Sequence, residues 1–236
     1  GRKEVFMGRA KFGVFGDGKE LPQVVMSKFF NNGDFRSGYY RDQTFMMAID
    51  QLDSNQFFAQ LYAHTDINFD PHSGGRQMNC HFGTRMLNDQ GDWKTLTDIK
   101  NSASDISPVS GQMPRIVGLG YASKLFRNNK NLSDMHNFSI NGNEVIFGTI
   151  GDASTSEGHF WESINACGVL QIPVVMSIWD NGYGISVPSE YHTTRNDLSK
   201  VLSGFQRSSK KENGFELFTV KAWDYEGLLN AYSSAV

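Results

Sequence analysis

Two short motifs combine oxygen-bearing side chains with glycine, and each follows an apolar run typical of a buried strand. The first motif spans 151–158, with the letters GDASTSEG, after the run 145–150. The second spans 180–183, with the letters DNGY, after the run 174–179. Carboxylate and amide oxygens are the hard ligands that suit Mg²⁺, which commonly keeps positions for water and phosphate oxygens. The pattern therefore indicates a site for a metal ion and a diphosphate.

The segment between the two motifs has the composition of one crossover between parallel strands. Its length allows a loop, a helix and a return strand. Residues 154–157 have the form of a capping box, and an apolar stripe at helical spacing follows before Gly168 and Pro173. If the two strands are neighbours, Asp152 and Asn181 emerge side by side at the carboxyl edge of the sheet, where open α/β folds bind ligands.

Strand and helix patterns alternate over 107–220. This alternation predicts an α/β fold with a doubly wound, mostly parallel sheet flanked by helices. Other expected elements are a helix over 110–128 with Pro114 in its first turn, a helical pattern over 44–62 and a strand over 216–220.

The expected organisation is an N-terminal segment over 1–35 followed by one domain over 36–236. The domain should be truncated at its C-terminus, because the chain stops inside a helical pattern. The stretch 68–105 is rich in polar residues and glycine, which is typical of a functional segment when a loop is this long.

The overall composition is that of an ordinary soluble globular domain. The chain has 236 residues, of which 39% are hydrophobic and 20% charged, and its formal net charge is −3. This charge gives no reason to expect a nucleic acid partner, and no segment predicts a membrane partner. Two cysteines, Cys80 and Cys167, cannot form a disulfide framework, which favours a reducing, cytoplasmic location.

The motifs resemble a known family when they are read in chain order. Gly151-Asp152-Ala153 followed at this distance by Asp180-Asn181 resembles the thiamine diphosphate motif. The wider match resembles the α subunit of the E1 component of 2-oxo acid dehydrogenases over roughly residues 30 to 230. It runs through the segments GYYRD at 38–42, GRQM at 75–78, HFG at 81–83, SP at 107–108, Gln112 and NGYGIS at 181–186. The GRQM and SEG letters resemble the branched-chain 2-oxo acid enzymes more than the pyruvate enzymes.

The resemblance implies a ligand set for Mg²⁺ and thiamine diphosphate. Asp152 would bind the metal through its carboxylate, Asn181 through its side-chain oxygen and Tyr183 through its backbone carbonyl. The metal would then neutralise the diphosphate oxygens. The backbone amides of Ala153 and Ser154, expected at the start of a helix, suit the remaining negative charge.

The resemblance also implies contacts from three other segments. Tyr40 and Arg41 would hold the diphosphate from its other side, since an arginine offers an always-charged set of donors. Ser107 and Val109 would contact the aminopyrimidine. His81 is the best acid–base candidate among the six histidines, with a structural histidine as the alternative.

The metal and phosphate motifs depart from the family pattern at three positions. Ala153 replaces the usual third glycine of the motif, which a negative φ would allow. Asp180 replaces the first asparagine of the usual pair, and we expect its side chain to bond to the local turn. Trp179 stands where the resemblance implies an arginine near the phosphates.

The function that the resemblance implies is the E1 α part of a 2-oxo acid dehydrogenase complex. It would decarboxylate a small 2-oxo acid, 2-oxoisovalerate in preference to pyruvate, and transfer the acyl group to the lipoyl group of an E2 partner. The site would be completed by a β subunit or fused β region, so the chain should be oligomeric and inactive alone. Alternatives are a pyruvate or acetoin dehydrogenase, another transketolase-like enzyme, or a catalytically incompetent assembly fragment.

Overall fold

The computed structural model describes residues 1–209 and 211–236. Its helices are α1 (Arg2–Phe6), α2 (Glu20–Ser27), α3 (Gln43–Ala48), α4 (Ser54–Leu61), α5 (Met113–Asn128), α6 (Gly158–Leu170), α7 (Leu198–Leu202) and α8 (Tyr225–Ala235). Its strands are β1 (Phe35–Ser37), β2 (Asn101–Ser102), β3 (Ile146–Gly151), β4 (Val174–Trp179), β5 (Tyr183–Gly184) and β6 (Val187–Pro188). None of the described helices has the length and apolar character of a membrane span.

The main sheet of the described residues is parallel and has the strand order β2-β1-β3-β4. Strands β5 and β6 form a separate antiparallel hairpin. Successive side chains of β3 point to opposite faces of the sheet, and helices cover both faces. Phe147 packs with α2, α3 and α8 on one face, whereas Ile146 and Ile150 pack with α5, α6 and α7 on the other. The predicted doubly wound α/β fold is confirmed.

The crossover between the two motifs is also confirmed. Strand β3, helix α6 and strand β4 follow one another, and β3 pairs with β4 in parallel, with Gly151 opposite Trp179. The predicted capping box is wrong. Residues Ala153–Ser156 form a 3₁₀ turn, and α6 begins after Glu157, which is the residue at its cap. The turn forms because both the backbone amide and the hydroxyl of Thr155 donate to the carbonyl of Asp152.

Three further expectations concerned single elements. The helical pattern over 44–62 is divided into α3 and α4, because Asp53 and Gln56 make a capping box that starts a new helix. The expected strand over 216–220 is absent from the sheet. The chain before it is held elsewhere, since the backbone amide of Gly214 donates to the carbonyl of Gly168. The helix that begins near residue 110 starts at Met113 and carries Pro114 in its first turn, as predicted.

Asp34 joins the starts of β1 and β3 and makes the stability of the fold dependent on pH. Its carboxylate accepts from the backbone amides of Asn31, at 2.8 Å, and Val145, at 2.7 Å. Burial nevertheless raises the pKa of Asp34 from 3.8 to about 6.

A raised folded-state pKa means that the folded protein binds the proton more tightly than the unfolded chain does. The protonated carboxyl of Asp34 therefore makes its full contribution to the free energy of unfolding below about pH 4. This contribution is lost as the pH rises through 6. We expect the free energy of unfolding to fall by up to about 3 kcal/mol across this window. Urea denaturation at several pH values tests this, with Asp34→Asn as the control. An equal pH dependence in both proteins would contradict it.

Candidate cofactor and metal site

The four parallel strands end at one edge of the sheet, and each is followed by residues that the sequence singled out. Strand β1 is followed by the segment 38–41, β3 by Asp152 and β4 by 180–183. Strand β2, at the far side, leads into the loop that carries Ser107 and Val109. Because all four strands are parallel, the fold brings the predicted cofactor contacts to a common edge.

Asp152 is buried at the end of β3 and has an unsatisfied oxygen. It is 5% exposed, and its Oδ2 has no hydrogen-bond partner among the described residues. Burial raises the pKa of the Asp152 carboxyl, and the neighbouring Asp180 carboxylate raises it further. Buried carboxylates are normally paired or bind metals, so the unsatisfied oxygen next to a second carboxylate fits a divalent cation.

The loop after β4 presents oxygen atoms beside Asp152. Asp180 accepts a hydrogen bond from the amide of Gly182 at 3.0 Å, as expected for a bond to the local turn. The side-chain oxygen of Asn181 accepts from the amide of Tyr183 at 3.2 Å. An amide oxygen has two lone pairs, so Asn181 can make this bond and still coordinate a cation. The described residues contain no cluster of three His, Cys, Asp or Glu suited to a metal, whereas the predicted set uses amide and carbonyl oxygens.

Ala153 is accommodated by its position in the 3₁₀ turn, and a glycine faces it. A Cβ added at Gly184 would lie 2.6 Å from the Cβ of Ala153. The chain at residue 184 can therefore pack against Ala153 only because residue 184 has no side chain. Ser154 lies in the same turn rather than at the start of α6. The amides of Ala153 and Ser154 therefore follow Asp152 directly, but the helix they were expected to begin starts later.

Tyr40 and Arg41 lie on the loop after β1. The guanidinium of Arg41 lies 5.3 Å from the centre of the Tyr40 ring and donates to the carbonyl of Phe15 at 2.9 Å. The backbone carbonyl of Arg41 accepts from Gln23 at 2.9 Å. These contacts fix the loop against the segment before α2, so the predicted diphosphate contact is positioned by the N-terminal segment.

The sequence did not single out Tyr39, which has a buried polar atom close to Asp152. Tyr39 packs over the end of β3, where its hydroxyl would lie 3.4 Å from a Cβ added at Gly151. Neither this hydroxyl nor the indole nitrogen of Trp179 has a hydrogen-bond partner among the described residues. Burial raises the pKa of Tyr39 well above its ordinary value. Tyr39 and Asp152 thus each have an unsatisfied buried oxygen at this edge, which is typical of a ligand site.

His81 and Ser107 are brought together by the fold although 26 positions separate them. The Nε2 atom of His81 lies 3.1 Å from the Ser107 hydroxyl, and its Nδ1 lies 3.4 Å from the carbonyl of Asn79. The backbone of His81 is also held, because its carbonyl accepts from the side chain of Gln60 at 2.6 Å. Ser107 and Val109 are exposed on their loop. The pair can hold a proton between imidazole and hydroxyl.

Neither cysteine is placed for nucleophilic chemistry. Cys80 is fully buried, and burial raises the pKa of its thiol to about 12. Burial likewise raises the pKa of Cys167 to about 11. Both thiols are therefore protonated near neutral pH.

A buried ionic network links the loops under the site. The Arg36 guanidinium lies 2.7 Å from the Asp42 carboxylate and 3.0 Å from that of Asp105. It also donates to the Ser102 hydroxyl at 2.8 Å, and Asp42 accepts from the Thr149 hydroxyl at 2.5 Å. The network therefore ties β1, β2 and β3 together beneath the loops that carry the predicted contacts.

A cleft of about 790 Å³ lies along the outer edge of β4. The segment expected to be a strand, 216–220, forms part of its opposite wall. At one end the cleft is bordered by Lys19, Trp179, Asp180 and Asn181. The cleft therefore opens beside the second motif.

Comparisons with known proteins show what the chain is similar to in sequence. A family model described as "Dehydrogenase E1 component" matches residues 6–222. The mitochondrial 2-oxoisovalerate dehydrogenase subunit alpha of Homo sapiens is 26% identical over 213 residues, which are 90% of this chain and 41% of that protein. The corresponding subunit of Bacillus subtilis (strain 168) is 26% identical over 208 residues, 88% of this chain and 54% of that protein.

A further relative, the mitochondrial 2-oxoisovalerate dehydrogenase subunit alpha of Caenorhabditis elegans, is 28% identical over 182 residues, 77% of this chain and 35% of that protein. The chain thus spans between 35% and 54% of the length of these three relatives. The family match covers most of the chain, including both motifs and the strands that carry them. The chain therefore belongs to the dehydrogenase E1 component family.

Proposed function

We propose that the chain is the α part of the E1 component of a 2-oxo acid dehydrogenase and that it binds Mg²⁺ and thiamine diphosphate. One observation carries the proposal: the unsatisfied, buried Oδ2 of Asp152 lies at the end of β3, directly beside the Asp180-Asn181 end of β4. Such an arrangement suits a cation that holds a diphosphate at the carboxyl edge of the sheet.

The residues of the chain would bind and orient the cofactor. Asp152, Asn181 and the Tyr183 carbonyl would hold Mg²⁺, while Arg41 and Tyr40 would hold the diphosphate from the loop after β1. Thiamine diphosphate, when bound, supplies the carbanion that adds to a 2-oxo acid and the ring that accepts electrons as CO₂ leaves. The amides of Ala153 and Ser154 would offer further donors to the phosphate oxygens.

The other predicted contacts lie on the β2 side of the same edge. Ser107 and Val109 would contact the aminopyrimidine. His81 would hold or move a proton at Nε2, the atom that lies 3.1 Å from Ser107. An imidazole nitrogen can accept and donate a proton, so His81 suits proton transfer to a substrate or product.

The whole activity is proposed to need a β partner and an E2. The β5–β6 hairpin next to the metal motif exposes apolar side chains, and Ile185 at its tip is 98% exposed. Tyr183 in β5 and Tyr191 in the 3₁₀ turn after β6 are also exposed. An exposed apolar patch beside a site is typical of an interface, which supports a β subunit or fused β region there.

We also propose a reducing, cytoplasmic location.

The proposed function has three alternatives. Two are enzymes with different substrates, and the third is a protein without enzymatic activity. The relatives named as 2-oxoisovalerate dehydrogenases support branched 2-oxo acids over pyruvate. Acetoin cleavage or another transketolase-like reaction is a second possibility. The third reading is an assembly module without activity, which the departures at Trp179 and Asp180 favour.

We expect the complete enzyme to have a higher kcat/KM for 2-oxoisovalerate than for pyruvate. A pocket distinguishes substrates that differ by small apolar groups by roughly 1–3 kcal/mol, so a preference of about 10- to 100-fold is expected. The test measures both acids with the full-length protein, its β partner and lipoyl-E2. A preference for pyruvate would overturn the substrate assignment, and cofactor binding without turnover of either acid would favour the assembly module.

A further inference from the structure

Lys19 is a buried lysine at the amino end of α2, and its charge lacks a partner. The residue is 9% exposed, and among the described residues its ammonium forms no ion pair. Its neighbours Asp17, Gly18 and Glu20 are exposed, so the lysine alone turns inward. Burying an unpaired ammonium is costly, and such a group is usually retained because it binds something.

The ammonium borders the cleft beside the proposed metal site. Lys19 lines the cleft together with Trp179, Asp180 and Asn181. Burial lowers the pKa of Lys19, the nearby Arg41 lowers it further, and Asp152 raises it. Lys19 is therefore an electrostatic neighbour of both the arginine predicted to bind phosphate and the aspartate predicted to bind metal.

The loop that carries Arg41 is held against the segments on either side of Lys19. Arg41 donates to the carbonyl of Phe15 at 2.9 Å, and its own carbonyl accepts from Gln23 at 2.9 Å. Gly16 leaves no room between these segments, because an added Cβ would lie 2.7 Å from the Arg41 carbonyl oxygen. Holding two like charges close together costs energy unless an anion lies between them.

Other cationic side chains that line the cleft already have hydrogen-bond or ion-pair partners. Lys124 donates to the carbonyl of Leu170 at 2.5 Å, and Arg127 donates to that of Gly142 at 2.6 Å. Trp179, at the end of β4, carries no charge. Arg207, which also lines the cleft, is paired with Glu216 at 2.8 Å. Among the described residues, Lys19 is therefore the cation of the cleft lining that has no such partner.

We propose that Lys19 is a further anion-binding residue, which contacts the diphosphate together with Arg41 while the metal at Asp152 holds the same group. The inference rests on the proposed function. It adds a contact from the segment before α2, and it predicts that phosphate affinity depends on a single ammonium outside both motifs.

The test compares Lys19→Met and Lys19→Gln with wild type, each as the full-length protein with its β partner. The probes are thiamine diphosphate, inorganic pyrophosphate and thiamine, each titrated calorimetrically with Mg²⁺ present. Lys28→Met is the matched control, because Lys28 is an exposed lysine at the other end of the same helix. Lys19→Arg retains the charge.

Both neutral variants should bind thiamine diphosphate and pyrophosphate roughly 10- to 100-fold more weakly, as expected for the loss of a charged hydrogen bond. Thiamine affinity should not change, and Lys28→Met should behave as wild type. Lys19→Arg should retain most of the affinity. Pyrophosphate binding as tight as wild type in both neutral variants would overturn the role of Lys19 alone. A wild type that binds neither phosphate compound would overturn the proposed function as well.

Discussion

Replacing Arg36 with methionine should reduce the free energy of unfolding by about 3–5 kcal/mol. The guanidinium is completely buried between the carboxylates of Asp42 and Asp105. Methionine fills much of the same volume but leaves both carboxylates without their cation. The cost arises mainly from these two buried charges, because a carboxylate taken out of water needs a partner.

Guanidinium chloride denaturation of the Arg36→Met protein measures this loss. The triple variant that also carries Asp42→Asn and Asp105→Asn should recover much of it, since no buried charge then remains unpaired. Arg9→Met is a matched control in which an exposed arginine loses its ion pair with Glu4, and it should change stability little. A loss below about 1 kcal/mol in Arg36→Met would contradict the importance of the network.

The motifs and the fold class could be predicted because their signals are local. The runs before 151 and 180 are mostly apolar, and a parallel crossover joins neighbouring strands, so the sequence predicts Asp152 and Asn181 at one edge of the sheet. The pairing of Gly151 with Trp179 places the two motifs side by side. The position of the Tyr40-Arg41 loop at the same edge followed from the resemblance. The structure agrees, because β1 lies next to β3.

Other expectations failed where a competing contact overrides the expected pattern. Residues 154–157 have the sequence of a capping box. However, Thr155 donates hydrogen bonds to the carbonyl of Asp152, which closes a 3₁₀ turn instead. The apolar letters at 216–220 suit a strand. However, the preceding chain is anchored at Gly168, and a cleft separates the segment from β4. The first effect is local but competes with the capping pattern, whereas the anchoring at Gly168 is not visible in the local sequence.

The buried ionic residues were missed for a different reason. Arg36 lies 69 positions from Asp105, so the sequence gives no sign that they meet. The one available signal was a charged residue inside the short strand β1, where an unpaired arginine would be costly. Lys19 gave no signal at all, because a lysine between Gly18 and Glu20 is typical of a surface turn.

Asp152→Asn should weaken the binding of thiamine diphosphate by at least roughly 100-fold. Loss of a group that only supports a metal ligand costs 10- to 100-fold in metal affinity, so loss of a charged ligand should cost at least as much. Asparagine keeps the shape of the side chain and relieves the burial of an unpaired charge. The variant should therefore melt no lower than wild type, which separates lost binding from lost folding.

Asp180→Asn is the matched control for this change. It removes the neighbouring carboxylate, which bonds to the turn at Gly182 and is not among the predicted metal ligands. Its cofactor affinity should stay close to that of wild type. Equal weakening in both variants would indicate a general effect of negative charge rather than coordination by Asp152.

The central claim is that a metal held at Asp152 binds the diphosphate of the cofactor. The most direct measurement is calorimetric titration of thiamine diphosphate into the full-length protein with its β partner, with Mg²⁺ and after removal of divalent cations by a chelator. Wild type should bind with Mg²⁺ and lose the binding after chelation, and Asp152→Asn should bind weakly in both conditions. Binding that is equally tight without metal, or equally tight in Asp152→Asn, would contradict the account.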